Sequence, residues 1–482
     1  MKQSCPAKSG TPMKIGQTSE VLRQVSRAQT SSAFFWIDAL WKDACGTARG
    51  TPAAGLPDKV DMDIFKLLLN SLYSIVIVLF VSSIASAGEL FQAPAVIQIA
   101  STVSDGKYSL EEIVRTAREN GVKIIVLGER DFMRWEYGLW PFRGLIKKTV
   151  KSNSLSAYGI ERYLKEIELL RKENPDMLII PGVESAPFYF WEGSPWRKNL
   201  KIKNWHKHML IVGLEKKEDY EFIPSLSNPL GLRESFRYDQ YHGDLGPKPY
   251  QNLIDYVNQR NGLIYWAHPE AGNISSRGDI GIETKGYSAD LGRTYGYTGF
   301  TVFYDGYEKT ARPGLIWDGL LKEYCAGIRT QPVWAIGGLG FDQGGELSAA
   351  IKDLRVVLLL SEWSQEAVLT ALREGRNYVL LGEVDLRLED FSLENKAAPL
   401  IRIKGYAAPD KELPLQIKLI RQGAVIKTFA AGNIFDIVYE DTSSVKEEKT
   451  YYRLEITYPG GMLISNPIFY PLLDPPHKET GS

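Results

Sequence analysis

Between residues 95 and 373, short apolar runs alternate with stretches of helical period, and that alternation constrains the fold more than any other feature. Residues 95–100 (AVIQIA) read as a strand. A Ser104-Asp105-Gly106 turn follows, and Ser109 with Glu112 three residues on forms a capping box. Leu110, Ile113, Val114 and Ala117 then fall on one helix face, and Gly121 supplies the stop. Residues 122–127 (VKIIVL) are the next strand. The pattern recurs as a helix over 158–172, a strand over 177–180 leading into Pro181-Gly182-Val183-Glu184, a strand over 208–212, a helix over 250–259, and a strand over 263–267 running into His268. Residues 300–303, 315–324, 333–336 and 365–373 continue it. Alternating strands and helices predict a parallel sheet with helical crossovers. About seven such units over roughly 290 residues suit a closed barrel, whose chemistry sits at the C-terminal ends of the strands.

From about Val384 the strands become consecutive. Leu415, Ile417 and Leu419 alternate with polar residues, as do Tyr452, Leu454, Ile456 and Tyr458, with turns at Gly423, Gly432 and Gly460-Gly461. This predicts a small antiparallel β-sandwich over 384–475 and a tail over 476–482. At the other end, residues 1–61 are rich in Ser, Thr, Ala, Gly and Gln and read as a disordered leader, outside the product if Met62 is the start. Residues 67–87 carry no charge over 21 positions, long enough to span a bilayer. Lys66 before the apolar run and Ala85-Ser86-Ala87 before Gly88 also fit a cleavable export signal. Residues 62–87 are therefore expected to be a signal peptide, or a signal anchor holding the chain to a membrane if uncleaved. Either way the barrel over 88–383 is expected outside the cytoplasm.

Composition narrows the chemistry. With 57 basic and 58 acidic residues the formal net charge is −1, which leaves no global electrostatic footprint for nucleic acid. Three cysteines (Cys5, Cys45, Cys325) exclude a disulfide framework, and cleavage would leave Cys325 alone, packed in a helix. Five histidines cannot build a polyhistidine cluster. There is no Gly-x-Ser-x-Gly elbow and no phosphate-binding Gly-x-x-x-x-Gly-Lys loop, and GGLG at 337–340 lacks the rest of a dinucleotide fingerprint.

Three residues stand where barrel chemistry belongs: Glu184, His208 and His268 each follow or begin an apolar strand. Singly, each has an ordinary structural reading. Together, one carboxylate and two imidazoles are a catalytic ligand set for zinc. His206 alternates with His208 on the expected strand and offers a second imidazole to the same side. His242 and His477 lie in polar surroundings and read as solvated. The aromatic run over 187–196 (PFYFWEGSPW) reads as packing, with a place over the barrel mouth as the other option.

The stretch over 101–131 (STVSDGKYSLEEIVRTARENGVKIIVLGERD) resembles the opening of the polymerase-and-histidinol-phosphatase (PHP) family. PGVES at 181–185, HMLIVGL at 208–214, GLIYWAHPE at 262–270 and the YYRLEITY…LISNPIFY tail resemble later parts of exported members. The resemblance implies an α/β fold with a PHP-like distorted (β/α)7 barrel followed by a β-sandwich, and metal-dependent hydrolysis of a small phosphorylated substrate. Asp105, Glu184, His208 and His268 match ligand positions of that family. Other ligand motifs are lost: Gln98-Ile99-Ala100 replaces His-x-His, Gly128-Glu129-Arg130 replaces Thr-Asp-His, and Gly340-Phe341-Asp342 replaces the late Asp-x-His. The resemblance thus implies at most one divalent ion, zinc or manganese, on Glu184, His208 and His268, with Asp105 or Asp342 as acid or base.

Arg130 adds a physical constraint. A guanidinium does not lose its proton, and near a divalent ion it is repelled by about 8 kcal/mol at 4 Å and an effective dielectric near 20. It either points inward and holds an anion bidentately, or pairs with Glu129 or Asp131 at the rim. Two functions of different class follow: a divergent one-metal phosphoesterase, or a catalytically inactive barrel that binds a ligand or an envelope protein.

Overall fold

The computed structural model describes residues 90–231, 238–342, 344–394, 396, 398–408, 412–443 and 449–471. The expected leader, export segment and tail, with Cys5, Cys45 and His477, lie outside the described residues. No helix among the described residues is long and apolar enough to cross a membrane. Residues 87–482 form one compact unit, and all four apolar clusters lie within it, so it carries complete cores of its own.

The helices arise where the apolar period places them. Leu110–Glu119 begins with the capping box: Ser109 Oγ accepts from the Glu112 N–H at 3.2 Å, and the Glu112 carboxylate accepts from the Ser109 N–H at 2.8 Å. Its buried face is Leu110, Ile113, Val114 and Ala117. Ile160–Glu173, Lys248–Asn258, Ile316–Cys325 and Gln365–Arg373 follow the same logic. Cys325 ends its helix half-buried, and burial pushes its thiol up to about 11, which suits packing rather than reaction.

The strands depart from the all-parallel expectation. One ten-stranded sheet contains Phe91–Ile99, Ile124–Leu127 and Leu178–Ile180, mutually parallel, with Leu354–Leu360 antiparallel on the other side of Phe91–Ile99. A six-stranded sheet runs Trp334–Gly337, Gly299–Phe303, Leu263–Trp266, Met209–Val212, Gly182–Ser185, Glu129–Arg130. In it Met209–Val212 is antiparallel to both neighbours. The reason is local: between Ser185 and Met209 the chain makes a short strand pair, Phe190–Glu192 with Lys201–Lys203, and no crossover helix. A return without a crossover gives an antiparallel neighbour. No sheet among the described residues closes on itself.

These central strands are apolar on both faces, as strands covered on both sides must be. Ala95, Ile97, Ile124, Val126, Leu210, Leu263 and Ile336 point into one cluster, closed by Val368 and Leu372 of helix Gln365–Arg373. Val96, Ile125, Ile179, Ile211 and Ile264 point the other way, into a cluster shared with the remaining helices.

The C-terminal strands do not form an isolated sheet. Gly461–Ser465 pairs with Asn377–Leu381, so the ten-stranded sheet runs unbroken into Thr450–Tyr458, Leu415–Arg421 and Ala424–Ala431. A three-stranded sheet of Leu386–Glu394, Leu400–Ala407 and Ile434–Glu440 shares one apolar cluster with these strands, through Leu388, Ile401 and Ile403 against Ile417, Leu419 and Leu454. A fourth cluster is aromatic. Trp135, Phe188, Tyr189, Phe190, Trp191 and Trp205 pack together in the connections between Arg130, Glu184 and His208. The run over 187–196 therefore serves mainly as packing, in a cap built from the strand-end segments.

Candidate metal centre

Strand direction assembles the site. Glu184 lies near the C-terminal end of Gly182–Ser185, beside Arg130 in the parallel register. Because Met209–Val212 runs the opposite way, its N-terminal end lies at that same edge, with Met209 opposite Ser185 and opposite Trp266. His208, just before that strand, and His268, just after Leu263–Trp266, are thereby brought together; the Ala267 N–H donates to the His208 carbonyl at 3.2 Å. One ligand atom each of Glu184, His208 and His268 lies within 4.8 Å of the others. His208 Nδ1 is 3.3 Å from Glu184 Oε2, and His268 Nε2 is 3.5 Å from Glu184 Oε1.

Two further side chains enter the cluster. Arg130 points inward: its guanidinium forms an ion pair with Glu184, its Nη1 donates to His208 Nδ1 at 2.8 Å, and its Nε donates to Asp105 Oδ2 at 3.2 Å. Gln98 Nε2 donates to Glu184 and lies 2.8 Å from His268 Nε2. A guanidinium only donates, so His208 offers its lone pair at Nδ1. Both imidazoles are held neutral. Burial, then the nearby Arg130 charge, hold His208 well below its usual range and His268 down to about 4.

Gln98 reaches the cluster through a bulge. Its φ is +69°, and the ladder to Ile124–Leu127 shifts register between Ile97 and Ile99. The extra residue breaks the two-residue alternation, so Ile97 and Ile99 fall into different apolar clusters. His268, at φ +42°, also holds a conformation that costs a non-glycine residue energy. The segment after Trp334–Gly337 closes over both. A Cβ on Gly338 would meet Gln98 Oε1, and one on Gly340 would lie 2.6 Å from His268 Cε1, so glycine is required for this approach.

The remaining sequence-derived residues fall around this core. Asp105 reaches it through Arg130 and is outside the three-donor group. Asp342 follows Phe341, whose carbonyl accepts from the Ala100 N–H at 2.9 Å; the Asp342 carbonyl itself accepts from the Lys107 N–H at 3.0 Å. His206 is not on a strand beside His208, as the alternation suggested; residues 204–208 precede Met209–Val212 as a turn, and Asn204 has φ +62°. The two rings still meet edge to face at 5.7 Å, and burial holds His206 down to about 3, but the donor group contains His208. His242 is exposed beside Asp239.

Sequence reasoning undervalued two carboxyls. Glu129 is fully buried and accepts from the Ser101 N–H at 3.0 Å, Ser101 Oγ at 2.6 Å and Ser104 Oγ at 2.5 Å; burial nonetheless raises its pKa. Asp131 is buried beside the Phe132 N–H, and burial pushes it up to about 6. The signal was the pair Ser101 and Ser104, hydroxyls in a strand-end turn that need an acceptor once buried.

No family model matches the chain, and no curated protein matches it. Among solved structures, it is similar to a two-domain protein from Bacteroides vulgatus containing a predicted PHP-like metal-dependent phosphoesterase, at 13% identity and a TM-score of 0.35, over 76% of this chain and 91% of that one. It is also similar to a suspected metal-dependent phosphoesterase from Bifidobacterium adolescentis, at 12% identity and a TM-score of 0.26, over 51% and 87%. At such values neither neighbour bears on the chemistry, which rests on the residues of the site itself.

Proposed function

We propose that this chain is a divergent PHP-like metallohydrolase that cleaves phosphoesters of a small anionic substrate with at most one divalent ion, zinc or manganese. The observation that carries this reading is the convergence of Glu184, His208 and His268 within 4.8 Å, with both imidazoles held neutral. One carboxylate and two neutral imidazoles from three strand ends fit a borderline-soft divalent ion by donor type. Such an ion, when bound, supplies Lewis acidity and a water acidified toward neutral pH. The chain's own groups do the rest. Arg130 presents the guanidinium fork that binds a phosphoryl oxygen, and Asp105 fixes that fork through Nε. Asp342 supplies a second carboxylate near the donors, as the acid or base.

The finer fold reading belongs to the same proposal. A distorted (β/α)7 barrel is supported by the single central cluster fed from both sheets, and by the Leu339 N–H donating to the Ile97 carbonyl, which links the ends of the two sheets at 2.9 Å. A β-sandwich is supported by the apolar cluster between the three-stranded sheet and the C-terminal strands. Export or membrane anchoring through residues 67–87 is supported by their sequence.

A second reading, an ion-free module that binds a ligand or an envelope protein, is favoured by one feature. The Gln98 amide already donates to Glu184 Oε1, and the Arg130 guanidinium is ion-paired with Glu184 Oε2. Turnover separates the two. With zinc or manganese supplied, hydrolysis of bis-p-nitrophenyl phosphate or p-nitrophenyl phosphate that Glu184→Ala and His268→Ala abolish supports the hydrolase. A metal-free, inactive wild type overturns it.

A further inference from the structure

We infer that the cap carries a docking surface for anionic phospholipid bilayers. Three segments converge on one cavity of about 680 Å³, whose walls include Trp135, Tyr137, Leu139, Ile146 and Leu200. They come from the hairpin Arg134–Gly138 with Lys147–Lys151, the 3-10 turn Pro195–Arg197, and the hairpin Asn273–Arg277 with Ile280–Thr284. The hairpins are tied together by Arg277 Nη1 donating to Ser152 Oγ at 3.0 Å.

Around this cavity large apolar side chains stand in solvent. Trp140 is 79% exposed, Leu145 85% and Trp196 86%, with Phe142 and Ile146 also exposed. Apolar groups grouped this way with a polar rim mark an interaction surface. The rim is mainly cationic: Lys147, Lys148, Lys198 and Arg277 line the cavity, against the single acid Asp279. Residues 139–151 contain Arg143, Lys147, Lys148 and Lys151 and no acid; residues 193–203 contain Arg197, Lys198, Lys201 and Lys203 and no acid. Lys147 pairs with Glu136, and Lys201 and Lys203 pair with Glu283. Arg143, Lys148, Lys151, Arg197, Lys198 and Arg277 make no ion pair among the described residues.

This combination selects the occupant. Tryptophan and aliphatic residues at loop tips suit the boundary between headgroups and acyl chains, and unpaired lysine and arginine suit anionic headgroups. A protein partner fits less well, because protein interfaces are depleted in lysine. A nucleic acid fits less well, because its interfaces are polar and offer nothing to Leu145 and Ile146. The segments that carry the patch follow Arg130 and Glu184 directly in the chain, so a bilayer bound here lies over the cap. The inference does not depend on metal binding or turnover.

The test uses residues 87–482, the compact unit that holds all four apolar clusters, so that residues 67–87 add no lipid affinity. Co-sedimentation is measured with phosphatidylcholine vesicles with and without phosphatidylglycerol, at low and high salt. Binding is expected to require phosphatidylglycerol and to weaken with salt. Lys148→Gln, Lys198→Gln and Arg277→Gln are each expected to weaken it roughly fivefold, and a combined Trp140→Ala, Leu145→Ala, Trp196→Ala variant at least about tenfold. Circular dichroism should be unchanged in all of them, since every altered side chain is exposed. The inference is overturned by equal binding to both vesicle types, by an unimpaired triple variant, or by retention on single-stranded DNA without vesicle binding.

Discussion

Arg130 sets how tightly the centre can hold an ion. Its Nη1 lies 2.8 Å from His208 Nδ1. An ion bound to that nitrogen sits about 2.0–2.1 Å from it, so an unmoved guanidinium is at most about 5 Å from the ion. Repulsion between a single and a double charge at that distance is about 2 kcal/mol with water-like screening and about 7 kcal/mol at an effective dielectric near 20. Arg130 keeps 12% of its side chain exposed, so water screens part of this repulsion and the value lies between the two figures. Replacing it with methionine keeps the length and removes the charge. It also leaves Glu184 without its cationic partner, which adds to the drive for an ion. Arg130→Met is therefore expected to bind zinc at least about tenfold more tightly than wild type, measured by isothermal titration at neutral pH on variants with matching circular dichroism. The same variant should lose phosphoester binding, because the anion-holding fork is gone. Unchanged or weaker zinc affinity in a folded Arg130→Met protein would refute the reasoning.

Other expectations follow from the same geometry. Gly340→Val places a Cβ 2.6 Å from His268 Cε1 at a φ of +54°, and zinc affinity should fall at least about tenfold while the fold persists; wild-type affinity would contradict the close approach. Arg453 and Asp318 form a buried bidentate pair, with Nε and Nη2 donating at 2.9 and 2.7 Å. Asp318→Ala should cost about 3–5 kcal/mol in urea unfolding, and replacing both partners with apolar residues should recover most of it. Burial holds His206 and His268 down to about 3 and about 4 from 6.5. The unfolded chain then binds more protons below pH 6.5, so stability is full above that value and falls as pH drops toward 4, by about 1.4 kcal/mol per pH unit for each imidazole. Asp131, raised from 3.8 to about 6 by burial, opposes this between those values, since the folded state holds its proton more tightly. The urea midpoint should be lower at pH 5 than at pH 7; equal midpoints would contradict the buried neutral imidazoles.

The parts of the fold that were legible are those specified locally. Ser109 and Glu112 mark a helix start within four residues, and runs such as Ile124–Leu127 are apolar because both faces are covered. Glu184, His208 and His268 were legible because each adjoins an apolar run. What escaped depends on pairing between distant segments. The reversal of Met209–Val212 follows from the return through the aromatic cap, and nothing within residues 208–212 announces it. That reversal also leaves His206 in a turn rather than on the strand. The bulge at Gln98 comes from a one-residue register shift against Ile124–Leu127, which turns a residue that marked only a lost His-x-His motif into a direct partner of Glu184 and His268. Glu129 looked like a lost ligand position and is a buried carboxyl held by Ser101 and Ser104. The choice between an inward and a rim Arg130 rested on which carboxylate it meets, and Glu184 lies 54 residues away along the chain, joined to it by strand pairing.

The most direct measurement is anomalous diffraction at the zinc edge from crystals of residues 87–482 grown with zinc. The account predicts one peak per chain, about 2.0–2.2 Å from a Glu184 carboxylate oxygen, His208 Nδ1 and His268 Nε2, with the Arg130 guanidinium displaced from Glu184. An absent peak, or a peak held by other residues while Arg130 stays on Glu184, would contradict it.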